Sequence, residues 1–342
     1  MALFSDGFGV TKYIHFGNNV TNKFFCSLLL WDVSMQCLIP ALAASALALC
    51  SPWSLADTGK LLLTGGVSSI EGAAGGGLTP WAVVGSNATH REIGISAAFT
   101  RVHTQDYGLN VASAVLGIHD RLELSLAQQD FNAGPTAALA AFGVTPGQHL
   151  KMDILGAKVR VAGDAVLNSD SWAPQIAVGL QHKRVQAGSM APVLTSLGAK
   201  TTGTDVYASA TKLFLAQSLL VNGTLRATKA NQNGLLGFGG ALGQDKYRLM
   251  PEFSVAYLVR KDIAIGAEIR FKPNNLESVG NAVFGANSAA LREDNWQDLF
   301  IAWAPSKNFS LTLAYVDLGR IAPALVSGRK QTGGYMSAQI AF

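Results

Sequence analysis

Two places in the chain set a histidine beside a carboxylate: His119 with Asp120, followed by Ser125, and His103 with Asp106. Serine, histidine and acid are the parts of a hydrolase in which a base frees a nucleophilic hydroxyl of its proton. Both pairs fall where the chain reads as a turn, however, and Asp at such positions is ordinary turn chemistry. No G-x-S-x-G motif supplies a nucleophile elbow. The six histidines show no metal-site spacing, and Cys26, Cys37 and Cys50 all precede residue 51, so no later cysteine completes a zinc site. The run GFGGALG lacks both the G-x-G-x-x-G spacing and the strand-to-helix context of a dinucleotide loop. The expectation is a protein without catalytic residues, metal or cofactor.

A steadier signal is charge placed at every second residue. In DIAIGAEIRFK, residues 262–272, Ile263, Ile265, Ala267, Ile269 and Phe271 share one face, and Glu268, Arg270 and Lys272 the other. FSLTLAY, SLLVNGTLRAT, DRLELSL and EFSVAYLV repeat the code. One face suits lipid and the other water, the signature of a transmembrane antiparallel β-barrel. On this reading Arg121, Glu123, Asp153, Lys158, Arg160, Arg226, Glu252, Glu268, Arg270, Lys272 and Asp298 line a lumen. Two uses remain open for them. They could pair across strands and pack a small lumen, or line a wet, weakly selective channel whose small cationic excess favours anions.

The elements that must position these groups can be counted. Strands are predicted over 92–102, 106–116, 120–129, 150–162, 173–185, 204–214, 217–228, 248–260, 262–272, 296–305, 308–318 and 332–342. Twelve strands bring both ends of the barrel to the periplasm, with short turns there and most long loops outside. Counting KLLLTGGVSS and LLGFGGALG gives an alternative of fourteen, at the expense of two long periplasmic loops. A soluble β-sandwich with the same alternation would expose more than the 14% of charged residues found here. The net charge of +4 contains no long run of one sign, which excludes nucleic acid as a partner. The last strand keeps its apolar face to the end, and Ile340 with the terminal Phe342 reads as an assembly signal.

Residues 1–56 hold the one long apolar run, closing on SPWSLAD, and read as an export signal cut before Asp57. Asp32 interrupts the run, so translation starting at Met35 is an alternative. An uncleaved membrane helix would bury Asp32 in hydrocarbon, and a lipoprotein would place bulky Leu49 before Cys50. Residues 57–91 are too rich in glycine for a sturdy strand. They are expected either to plug the lumen, through Glu71, Gly75, Gly76, Gly77 and Trp81, or to hang below it as a leader. Buried, Glu71 would require a cation.

GKLLLTGGVSSIEGAAGGGLTPWAVVG, FKPNNL, REDNWQDLFIAWAPSKNFSLTLAYVDLGRI and the terminal aromatic strand together resemble a bacterial family of unknown function associated with outer-membrane β-barrels. The resemblance spans essentially the whole chain after residue 56. It implies an outer-membrane location and assembly by the barrel-insertion machinery, and it assigns no reaction. ESVGNAVFGANSAAL makes one external loop longer than the family pattern. The expected function is a pore or transporter for small solutes. The alternatives are a closed structural or surface-binding barrel, a transporter of hydrophobic compounds, and a lipid-modifying rim enzyme.

Overall fold

The computed structural model describes residues 60, 62–134, 140–165, 172–286, 288–323 and 328–342. The export signal expected over 1–56 lies outside these residues. Two short strands, β1 (Val67–Ser68) and β2 (Ala74–Gly75), pair with each other. Twelve long ones follow: β3 (Ile93–Thr104), β4 (Gly108–Ile118), β5 (Leu122–Asn132), β6 (His149–Ala162), β7 (Gln175–Gln186), β8 (Thr202–Phe214), β9 (Leu219–Thr228), β10 (Arg248–Arg260), β11 (Ile263–Arg270), β12 (Trp296–Ser306), β13 (Phe309–Asp317) and β14 (Thr332–Ala341). They form one closed barrel in which every neighbour is antiparallel and sequential, sealed by β14 against β3. The fourteen-strand alternative fails. KLLLTGGVSS contributes only β1, and LLGFGGALG folds as a loop, with Phe238 fully buried and bridged to Lys200 and Ala230.

Alternation builds the wall. Outward side chains of the turn-end half, such as Phe99, Ile265, Leu313 and Met336, are exposed and apolar, while their neighbours face in. With all edges paired, no strand presents bare backbone to hydrocarbon. The molecule is therefore a membrane barrel of the outer-membrane type. Tight turns at 119–121, 261–262 and 307–308 mark one end, which is periplasmic in such barrels. The other end carries long connections, two with helices: α1 (Ala191–Ser196) and α2 (Glu277–Phe284). The long loop after β11 is thus partly helical.

Above the apolar belt the code inverts on β4 to β7. Asp130, Lys151, Asp153 and Arg184 face outward there, whereas Leu109, Phe131, Leu150, Met152, Ile154 and Val185 face in and are buried. The outer half of this wall therefore carries a polar collar outside and an apolar core inside.

Candidate functional site

Residues 62–91 enter from the turn end, rise into the lumen and return. Lys60 stands at the rim, paired with Asp120 at 2.7 Å, and Asn87 donates to the carbonyls of Lys307 and Ala341. Between them Val67–Gly85 is buried. Glycine permits the close approach: a Cβ on Gly76 would lie 2.3 Å from Glu268 Oε1, and one on Gly75 would lie 1.9 Å from the Thr79 carbonyl oxygen. A Cβ on Gly77 would lie 3.3 Å from the Tyr335 hydroxyl, and Trp81 donates its indole N–H to Ser254 at 3.0 Å.

Four sets of polar contacts bind the segment to the wall. Glu123 and Lys158 pair at 2.9 Å, with Glu123 accepting from the Ala74 and Gly85 amides and Lys158 donating to the Ala74 and Trp81 carbonyls. Glu268 accepts from the Leu78 amide at 2.7 Å, Thr79 Oγ1 at 2.6 Å and Ser254 Oγ at 2.7 Å. The Pro80 carbonyl accepts from Ser209 and Thr224.

The fourth set centres on Glu71, 1% exposed. Lys183 lies 2.5 Å from its Oε1, Arg270 Nη2 donates to the same oxygen at 2.9 Å, and Oε2 is 2.8 Å from Arg270 Nη1 and 3.2 Å from Arg226. The wall holds these cations in turn. Asp205 is 2.6 Å from Lys183, and Glu252 is 2.5 Å from Nε of Arg226, whose guanidinium lies over the Tyr207 ring. Buried charges persist only when paired in this way.

Of the residues expected to line the lumen, Glu123, Lys158, Arg226, Glu252, Glu268, Arg270, Lys272 and Asp298 are buried on the inner side. Arg160 sits at the turn-end rim, donating to Asp120 at 2.8 Å. Two expectations are corrected. Arg121 lies in the turn before β5 and is exposed. Asp153 belongs to the outward face of β6, accepting from Gln128 and Gln186, because the inward parity of that strand is set by Lys158 and Ile154. Sequence reasoning missed Lys183 and Asp205. Parity held the signal, since Val178 and Leu180 turn outward and put Gln181 and Lys183 inside, as Val206 does for Asp205.

Towards the loops the lumen turns apolar. A cavity of about 40 Å³ is lined by Ile70, Leu78, Val102, Leu109, Phe131, Val316, Ile321 and others. A second of about 40 Å³ adjoins it through Tyr107, Phe131, Leu236 and Ile321. Asp298 Oδ1, Trp296 Nε1 and Tyr335 Oη, on residues lining the first, lack hydrogen-bond partners. Lys272, beyond the end of β11, lies 3.5 Å from Glu293 and over the Trp296 ring, and donates to Gln232 at 2.5 Å. Burial pushes its ammonium down to about 8 against the pull of Glu293, whose own carboxyl burial raises.

The His–Asp pairs do not assemble a catalytic site. His119 and His103 are exposed, Ser125 is buried against Gly156, and Asp106 is engaged by Arg329 and Gln331. Among the described residues no histidine faces the lumen, and no cluster of potential metal ligands occurs.

A profile for a family described as "protein of unknown function (DUF3034)" matches residues 64–339. The chain belongs to this family. The match begins inside the lumenal segment, so segment and barrel are parts of one family unit. No curated protein shows significant similarity to the chain. Solved structures with a similar course include the KdgM porin, 10% identical with a TM-score of 0.43, covering 72% of this chain and 99% of that one. The NanC porin is 8% identical with a TM-score of 0.43, covering 73% and 99%. The outer membrane phospholipase A from Escherichia coli is 9% identical with a TM-score of 0.37, covering 72% and 92%.

Proposed function

We propose that the protein is a stoppered outer-membrane pore: closed while residues 62–91 fill the lumen, and passing small polar solutes when that segment gives way. The observation that carries this reading is the wall facing the segment. Every inward position of β9 from Asn222 to Thr228 is polar, as are Gln181 and Lys183 on β7, Asp205 on β8, Glu252 on β10, and Glu268 and Arg270 on β11. A barrel built to stay shut could fill this space with apolar side chains at no desolvation cost. A wall of amides, hydroxyls and paired charges is one that water can wet.

Planar-bilayer conductance tests the reading. The chain from Asp57 is expected to be silent or rarely open, and a variant lacking residues 57–91 to give discrete steps. Silence from both, with heat-modifiable gel migration showing folded barrels, would overturn the pore in favour of a closed structural or surface-binding barrel.

The apolar chamber towards the loops favours a second reading, in which the cargo is hydrophobic. Its check is binding of the fluorescent probe N-phenyl-1-naphthylamine, expected to weaken in Val316→Trp, where the chamber is filled. Equal binding by both proteins counts against it.

A further inference from the structure

We propose that Glu71 is a tethered stand-in for an anionic solute, and that Lys183, Arg226 and Arg270 form a binding site for small carboxylates or phosphates which that side chain masks. The proposal deepens the pore reading by naming a solute class, but the measurements below do not depend on conductance.

The grip on Glu71 has the form of a ligand site. Both carboxylate oxygens are engaged, Oε1 by Lys183 at 2.5 Å and Arg270 Nη2 at 2.9 Å, Oε2 by Arg270 Nη1 at 2.8 Å and Arg226 at 3.2 Å. Arg270 donates through Nη2 to Oε1, while Nη1 lies at ion-pair distance from Oε2 without hydrogen-bond geometry and keeps a donor to spare for a free oxyanion. The three cations come from β7, β9 and β11, each separated from the next by a strand that supplies one acid, Asp205 from β8 and Glu252 from β10.

The wall fixes Lys183 and Arg226 without help from Glu71, and Glu252 lies 3.5 Å from Arg270 Nε. Lys183 is also held by Asp205 at 2.6 Å and the Asn233 carbonyl at 3.2 Å, and Arg226 by Glu252 at 2.5 Å and Gln181 Oε1 at 2.7 Å. A site braced in this way survives loss of its occupant. Charge completes the argument. Three cations against Asp205 and Glu252 leave one positive charge over, which Glu71 cancels. The other lumenal anchors show no such surplus: Glu123 faces Lys158 one to one, and Glu268 is held by neutral donors. When the segment withdraws, the surplus stays on the wall, where a free oxyanion can meet it.

The test uses the full chain carrying Glu71→Gln or Glu71→Ala, with inorganic phosphate as the probe. The midpoint temperature of heat-modifiable migration is compared in sodium phosphate and in sodium chloride of equal ionic strength. Phosphate is expected to raise both variants by about 3 °C for each tenfold excess over its Kd. It should raise the native chain less, since any general salting effect is common to all. Adding Arg270→Gln should abolish the extra rise. Equal shifts in native and variant proteins would overturn the proposal. Should the variants fail to fold, the native chain decides. Phosphate competing for the cations should speed protease cleavage within residues 60–91 relative to chloride, and equal cleavage rates would overturn the proposal. Either set of results can come out for or against the site whether or not the barrel conducts.

Discussion

Beyond the Glu123–Lys158 pair that β5 and β6 set nearer the turn end, the two walls of the lumen hold the same N-terminal segment by different means. On β7 to β11 the contacts are charges and hydroxyls, with Glu71 gathered by three cations and Glu268 by three donors. On β3 to β6, at the outer level, Val102, Leu109, Met152 and Ile154 belong to the same apolar cluster as Ile70 and Leu78. Apolar packing is non-directional and tolerates a shifted partner. The charged wall demands one side chain at one place, because each buried ion left alone loses its compensation. The charged wall therefore fixes where the segment sits, and the apolar wall supplies adhesion.

This contrast breaks hardest at Glu71. Glu71→Ala leaves a buried surplus of positive charge and should cost about 3–5 kcal/mol in urea unfolding. It should also start conductance in the full chain. On the other wall Met152→Ala should cost a comparable but more variable 2–5 kcal/mol, roughly as the cavity left behind collapses or not, with the bilayer trace unchanged. If Met152→Ala opens the pore and Glu71→Ala does not, the division of labour is reversed. Gly76→Ala sharpens the comparison, because its methyl would collide with the Glu268 carboxylate. A loss of about 1–3 kcal/mol is expected from such overpacking, read from the urea midpoint, whereas Gly223→Ala on the lipid face has room and should change little.

The smallest effect is a pH dependence. Lys272 titrates at about 8 in the folded protein, below the roughly 10.4 of an unfolded lysine. Between those values the unfolded chain holds the extra proton, so stability should rise with pH through that window, by at most about 1.4 kcal/mol per unit. Lys272→Met should flatten that rise. An equal slope in both proteins would show that Lys272 is not the group responsible.

Much of this architecture is legible in the sequence, since each strand in lipid must keep one apolar face. The twelve predicted strands match the observed ones to within three residues at their ends. What alternation hides is its own reversal. On β6 the apolar set faces lipid at Val159 and Leu155, then changes sides, so that Met152 and Ile154 point inward and Asp153 outward. Reading charge as lumen assigned Asp153 to the wrong face. Strand parity, carried from Lys158, would have corrected it. For Glu71 the need for cations was readable from burial alone. Their identity was not, because Arg270 stands 199 residues away in sequence.

The seam between β14 and β3 has a consequence for the order of events in assembly. Phe342 and Ile95 exchange both backbone hydrogen bonds, so the circle closes on the chain's last residue. The segment inside that circle was made before any strand around it. Contacts so distant in sequence form late, and until the seam shuts, Lys183, Arg226 and Arg270 have no finished lumen in which to meet Glu71. The first part of the barrel to be synthesised is thus among the last to find its place, and the unfinished barrel must keep those cations hydrated until it does.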